Sequence, residues 1–206
     1  MTTCYIVGAG SSKVELTPDA SDFVIAADGG YDTLRALHIR CDLLVGDMDS
    51  IRNVPENIDV VRHPVRKNET DMHLAYLEGR DIGYDRFVIL GAVGGRADHT
   101  FANYSLLLKI ANDGCDGMII HDTGTARVIK NRKICLSGER KGDHLSVFAI
   151  GGVARGVSIK GAEYECTHLT LTPDFPIGVS NSFVGKDTVI GVEDGALLIL
   201  TEKKRG

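Results

Sequence analysis

Several things are missing from this chain, and each absence narrows what it does. No apolar run approaches the roughly 20 residues that a helix needs to cross a bilayer. The opening stretch MTTCYIVGAG has no basic segment ahead of a long apolar one, so no signal peptide is expected and a soluble, cytoplasmic protein is. A basic footprint is absent too. The formal net charge is −5 and only the tail TEKKRG is strongly basic, which argues against a nucleic-acid binder. There is no CxxC and no HExxH. The five cysteines, Cys4, Cys41, Cys115, Cys135 and Cys166, are odd in number, and several sit in apolar runs such as TCYIV and RKICL. Buried thiols in a reducing compartment explain them better than a disulfide framework or a zinc site. No internal repeat or low-complexity linker occurs.

What is present divides into two patterns. CYIVGAG, FVIAADGG, DLLVGDMDS, DVVRHP, RFVILGAVGG and GMIIHDTG are short apolar runs ending in Gly or a polar residue. Such runs suit strands buried on both faces. Helical patterns separate several of them: YDTLRALH, DMHLAYLEGRDIG and HTFANYSLLLKIANDG, the last stopping at Gly114. This alternation predicts an α/β fold, a three-layer domain with a mainly parallel sheet over residues 1–124. Beyond TGTA, 123–126, the runs ARVIKNRKICL, HLSVFAIGG, GVSIKGAEY, HLTLTP, DTVIGVED and ALLILTEK are broken by Gly, Pro and Asp, without helices. They predict a small antiparallel sandwich or barrel over residues 125–206.

In an open α/β sheet, ligands bind beyond the carboxyl ends of the strands. Here those ends carry functional groups. LLVGDMDS ends on Asp47 and Asp49; in extended chain, residues two apart face the same side, so their carboxylates would converge. Like charges so placed either meet a cation, for which Mg²⁺ with one or two carboxylates is suited, or cap backbone amides in a solvated turn. The residues alone leave both readings open, and Asp28 at the end of FVIAADGG weighs toward the metal. In RKNETD, Thr70 or Asp71 can cap a helix whose N-terminus attracts anions, with Arg66 and Lys67 just before it. In GAVGGRADHT the glycines allow close backbone approach, Arg96 offers a fork to a phosphate, and Asp98 holds a cation or caps the next helix. GAGSS, 8–12, looks like a phosphate turn but lacks the P-loop lysine–hydroxyl pair and the third Gly of a dinucleotide fingerprint. In FPIGVSNSFVG, Ser180 and Asn181 make either a hairpin turn or a polar rim for a small ligand. His99, beside Asp98, is the one histidine placed to matter.

Taken in order, ADGG, GDMDS, KNETD, GGRADHT and GVSNSF resemble the bacterial thiamine pyrophosphokinases (thiamine diphosphokinases), over nearly the whole chain. The resemblance implies an enzyme that moves a pyrophosphoryl group from ATP to the thiamine hydroxyl, giving AMP and thiamine diphosphate. It also implies a C-terminal β-sandwich that binds thiamine and dimerises, and a homodimer with the active site at its interface. Carried over by motif, Asp28, Asp47, Asp49 and Asp71 would form the Mg²⁺–ATP centre. Asp47, Asp49, Asp71 and Arg96 would act in catalysis. Thr70, Lys67 and Asp98 would line the same cleft, and Ser180 and Asn181 would lie near thiamine. Two departures stand out: Ser182 replaces a frequent acidic residue, and Asn68 a frequent Asp. Other readings are a Mg²⁺-dependent nucleotide-sugar transferase, which leaves KNETD and GGRADHT unexplained, and a non-catalytic thiamine or nucleotide sensor, against which the intact aspartates count.

Overall fold

The computed structural model describes residues 2–10, 16–48, 57–62 and 68–204. The chain forms two compact units. One comprises residues 1–106 with 114–122, the other residues 107–113 with 123–206. The grouping is not continuous in sequence. Lys130 Nζ donates to Asn112 Oδ1 at 2.8 Å, and Leu108 lies against Gly151, so residues 107–113 pack with the C-terminal strands.

In the first unit, β1 (Cys4–Val7), β2 (Phe23–Ala27), β3 (Leu43–Gly46), β4 (Asp59–Arg62), β5 (Arg86–Leu90) and β6 (Asp116–His121) pair entirely in parallel. Their spatial order is β6-β5-β1-β2-β3-β4. Strands apolar at nearly every position need cover on both faces, and helices supply it. On one face Val7, Val24, Ala26, Val88 and Leu90 cluster with Leu34 of α1 (Gly30–Ala36). The alternate residues Cys4, Ile25 and Phe87 meet Gly79 of α2 (Asp71–Ile82), whose Tyr76 stacks edge-on to Phe87 at 4.9 Å. Successive strand residues face opposite sides, so α1 and α2 cover opposite faces and the unit has three layers. Helix α3 (Ala97–Asn112) follows β5, and Gly114 stands past its end.

This strand order decides where a ligand fits. The chain leaves β1 toward β2 but leaves β5 toward β6, in opposite directions across the sheet. The connections therefore diverge between two neighbouring strands and open a crevice at their carboxyl ends.

The second unit holds β7 (Gly124–Lys130), β8 (Lys133–Leu136), β9 (His144–Ala149), β10 (Ala154–Lys160), β11 (Cys166–Leu171), β12 (Asn181–Ser182), β13 (Thr188–Gly191) and β14 (Ala196–Glu202). Antiparallel pairing runs β12-β9-β14-β7 in one layer and β11-β10-β13-β8 in the other. Val147, Leu197 and Ile199 of the first layer share one core with Val157, Ile159 and Ile190 of the second, around the buried Phe183. That is a sandwich rather than a barrel.

None of the five cysteines is in a disulfide. Burial pushes the Cys4 thiol up to about 12 and Cys41 up to about 11, which leaves both inert. Cys135 departs from the expectation of burial and is exposed, because it alternates with Ile134 and Leu136, which face the sandwich core. Among the described residues no helix is long and apolar enough to cross a membrane.

Candidate active site

A cleft of about 530 Å³ lies in the first unit beyond β1 and β5, at the point where the strand order diverges. Its floor is backbone. The Gly8 N–H donates to the Leu90 carbonyl at 2.9 Å, and the Gly10 N–H to the Gly91 carbonyl at 3.1 Å. The two turns touch so closely that a Cβ on Gly91 would stand 2.4 Å from the Gly8 oxygen. Gly91 also has φ 64°, a left-handed conformation that side chains disfavour. GAG and GAVGG therefore act as one floor that brings main chain to the ligand.

Asp28 enters from the end of β2. Its N–H donates to Val45 at 2.8 Å, its φ is 46°, and its Oδ1 is buried with no hydrogen-bond partner. A buried carboxylate oxygen without a donor is costly unless a ligand or cation completes it. Asp47 follows Gly46, the residue lying directly against Asp28, but Asp47 is not in the lining of this cleft. Met48 has φ 68° and is buried, so the chain past β3 is not extended. Strand β3 ends at Gly46, just before Asp47. Asp49 lies outside the described residues, as do Arg66 and Lys67.

Opposite Asp28, α2 points its N-terminus at the cleft, with Thr70 and Asp71 in the lining. Thr70 is the N-cap: its Oγ1 accepts from the His73 N–H at 3.2 Å, and Asp71 is the first helical residue. Thr70 thus orients the helix end through its own side chain. Thr70→Ala should cost about 1 kcal/mol of stability. In a calorimetric scan that appears as a fall of about 2–4 °C in Tm.

Beyond β5, Arg96 lines the cleft and pairs with Asp98, which is itself outside the lining. They form a two-point fork, Nη2 to Oδ2 at 2.6 Å and Nε to Oδ1 at 3.1 Å, and Asp98 Oδ1 also accepts from the His99 N–H at 2.9 Å. The Arg96 guanidinium holds the Asp98 carboxyl below the usual carboxylate range. Both side chains are exposed, 73% and 64%. Asp98 is thus a partner that pre-orients Arg96 while leaving it open to exchange for phosphate oxygens, which match the same fork. It sits in the first turn of α3 rather than at its cap.

Asn103 of α3 also belongs to the site. Its buried side chain donates from Nδ2 to the Ala92 carbonyl at 2.7 Å and lines the cleft, so it ties the glycine loop to α3. The only sequence sign is one amide among the apolar residues of the helix.

Ser180 and Asn181 belong to the second unit. Ser180 is exposed with φ 62°, and its N–H donates to Ser146 Oγ at 3.3 Å. Asn181 is buried, and its amide is occupied by main chain.

Among the described residues no three His, Cys, Asp or Glu side chains gather as a metal site. Mg²⁺ does not need three, since it commonly takes one or two carboxylates with substrate phosphates and water. The orphaned Asp28 oxygen and Asp71 in the same cleft supply oxygen donors of the kind it takes.

Residues 14–119 match the family described as thiamin pyrophosphokinase, catalytic domain, and residues 131–197 match the thiamin pyrophosphokinase vitamin B1 binding domain. Thiamine pyrophosphokinase 1 of Oryza sativa subsp. japonica is 24% identical over 176 residues, covering 76% of this chain. The match spans 64% of the rice protein's length, under two thirds. The structure of thiamine pyrophosphokinase from Bacillus subtilis superposes with a TM-score of 0.87 at 20% identity, covering 98% of this chain and 100% of that one. Thiamin pyrophosphokinase from Candida albicans does so at 0.75 and 15%, over 98% and 89%. At such identities the superpositions establish the fold.

Proposed function

We propose that this chain, which belongs to the thiamin pyrophosphokinase family, transfers a pyrophosphoryl group from ATP to the hydroxyl of thiamine, releasing AMP and thiamine diphosphate. The observation that carries this reading is the buried, partnerless oxygen of Asp28, a residue of the segment matched to the family's catalytic domain, set in a glycine-floored cleft. Residues 1–124 are the nucleotide-binding catalytic domain and residues 125–206 the thiamine-binding and dimerising domain.

The reaction needs the thiamine oxygen in line with the β-phosphorus and the polyphosphate charge offset; it needs little covalent chemistry from the protein. The Gly8–Gly10 and Gly91–Gly95 turns let phosphate oxygens approach main chain. The N-terminus of α2, capped by Thr70, faces the same anions. Arg96 exchanges its Asp98 partner for phosphate oxygens and stabilises the charge that builds on them. Lys67 adds positive charge before the helix. Asp28, Asp47, Asp49 and Asp71 would hold Mg²⁺, which when bound neutralises and orients the polyphosphate. Asp71 accepts the proton of the thiamine hydroxyl. Ser180 and Asn181 serve the thiamine side. The protein works as a cytoplasmic homodimer with the active site at its interface.

The test is to incubate the purified protein with Mg²⁺, ATP and thiamine and separate the products. Equimolar AMP and thiamine diphosphate are expected. ADP with thiamine monophosphate would mean a different transfer, and binding of both ligands without turnover would mean a sensor. Asp71→Ala should keep the wild-type Tm and lose turnover by a factor of roughly 10² or more. Unchanged turnover removes the proton-acceptor role. A fully active monomer in sedimentation removes the shared site.

A further inference from the structure

Asn103 is a buried amide with one half unused. It is 5% exposed, and its Nδ2 donates to the Ala92 carbonyl at 2.7 Å. A carbonyl accepts only from a donor, so Nδ2 faces Ala92 and the amide cannot flip without losing that bond. Oδ1 therefore has a fixed direction. It makes no hydrogen bond among the described residues, and it is not one of the atoms sealed from solvent. The small exposure that remains to Asn103 opens on the cleft that the residue lines. An acceptor so held is placed to meet a donor that arrives with a ligand.

The place of Asn103 says which part of a ligand it meets. Strand β1 lies between β5 and β2. Neighbouring strands stand about 4.8 Å apart, so the turn past β5 that Asn103 holds is about 10 Å from the end of β2, where Asp28 stands. The Asp28 side is the one proposed for metal and polyphosphate. A nucleotide extended from there brings its base to the β5 side. Phosphate oxygens are acceptors only, so they offer Oδ1 nothing. The lining next to Asn103 is Ala92 and Ala102, small and apolar, which suits the flat face of a base better than a hydroxyl-rich ribose.

We infer, on the proposed use of ATP by this cleft, that Asn103 is a specificity-determining residue for the nucleotide, its Oδ1 accepting from the 6-amino group of adenine. Inosine and guanosine triphosphates carry an oxo group where adenine carries that amine. With either of them two acceptors face each other. The amide has no donor to turn toward the oxo group, because Nδ2 is held by Ala92. An acceptor left unmatched in a closed site is more costly than a contact that is simply missing. The bond to Ala92 thus does two things. It ties the glycine loop to α3, and it keeps the amide from adapting to the wrong base.

The experiment measures Kd by titration calorimetry for the Mg²⁺ complexes of ATP, inosine triphosphate and 2′-deoxy-ATP, without thiamine, in wild type and Asn103→Ala. Wild type should bind ATP tighter than inosine triphosphate by a factor of about ten or more, and 2′-deoxy-ATP within about twofold of ATP. In Asn103→Ala the preference for ATP over inosine triphosphate should shrink to about twofold or less. The loosened glycine loop weakens both triphosphates alike, so their ratio isolates the contact to the base. A merely structural role would lower both affinities and keep the ratio, which overturns the inference. If Asn103→Ala fails to fold, the wild-type comparison carries the test. Equal affinity for ATP and inosine triphosphate overturns the inference, and so does a loss confined to 2′-deoxy-ATP, which would assign Oδ1 to the ribose. Neither result touches the reaction, provided wild type still converts ATP and thiamine to AMP and thiamine diphosphate. Wild type that binds no ATP overturns both.

Discussion

Asp28→Asn should make the protein more stable and nearly inactive at once. The Asp28 Oδ1 is buried and has no hydrogen-bond partner, so the ligand-free protein bears the cost of a desolvated carboxylate oxygen. Asparagine keeps the shape and removes the charge. It also suits the backbone, since φ at this position is 46° and asparagine adopts the left-handed region more readily than most residues. Relief of about 1 kcal/mol is expected, which raises Tm by about 2–4 °C. Activity should fall by a factor of roughly 10² to 10³, because the lost charge is the one proposed to complete the Mg²⁺–ATP centre. Calorimetry and product formation on the same preparation check both signs. A loss of stability would show that the carboxylate already has a compensating partner. Activity within tenfold of wild type would remove Asp28 from the proposed centre.

Gly91→Ala should damage the same cleft by a different route. A Cβ there would lie 2.4 Å from the Gly8 oxygen and 2.9 Å from the Gly10 oxygen, both main chain and unable to rotate away. The left-handed φ of 64° adds strain of its own. The ends of β1 and β5 must separate, at a cost of about 1–3 kcal/mol. Because the displaced atoms are the floor of the proposed phosphate site, ATP affinity should weaken about tenfold or more in the variant that still folds. Gly114→Ala, outside the cleft lining, is the control. A Cβ there meets nothing within 4 Å, so it bears only the backbone strain of φ 76°. Equal ATP affinities in the two variants would show that close contact between the turns does not shape the site.

The residue pattern alone was enough for the elements and their class. Runs apolar at every position demanded burial on both faces, and β1, β2, β3 and β5 are found so buried beneath helices. Thr70 ahead of an amphipathic stretch marked a helix start, and it is the N-cap. These signals are local, written in neighbours a few positions apart, and local sequence is enough to read them. The ordered motifs likewise pointed to the family matched over residues 14–119 and 131–197.

Other features depended on residues far apart in the chain. The order β6-β5-β1-β2-β3-β4 set β1 beside β5 and made GAG and GAVGG one floor, although more than 80 residues separate them. No period in the sequence encodes which strands become neighbours. The left-handed φ at Met48 is likewise set by the surroundings into which its side chain is buried, which no local pattern encodes. Asn181 reads as a free polar group beside Ser180. Only the return of the chain at 161–165 supplies the main-chain partners that consume its amide. A side chain's chemistry is fixed by its type, but which of its atoms remain free for a ligand is decided by what the fold places against it.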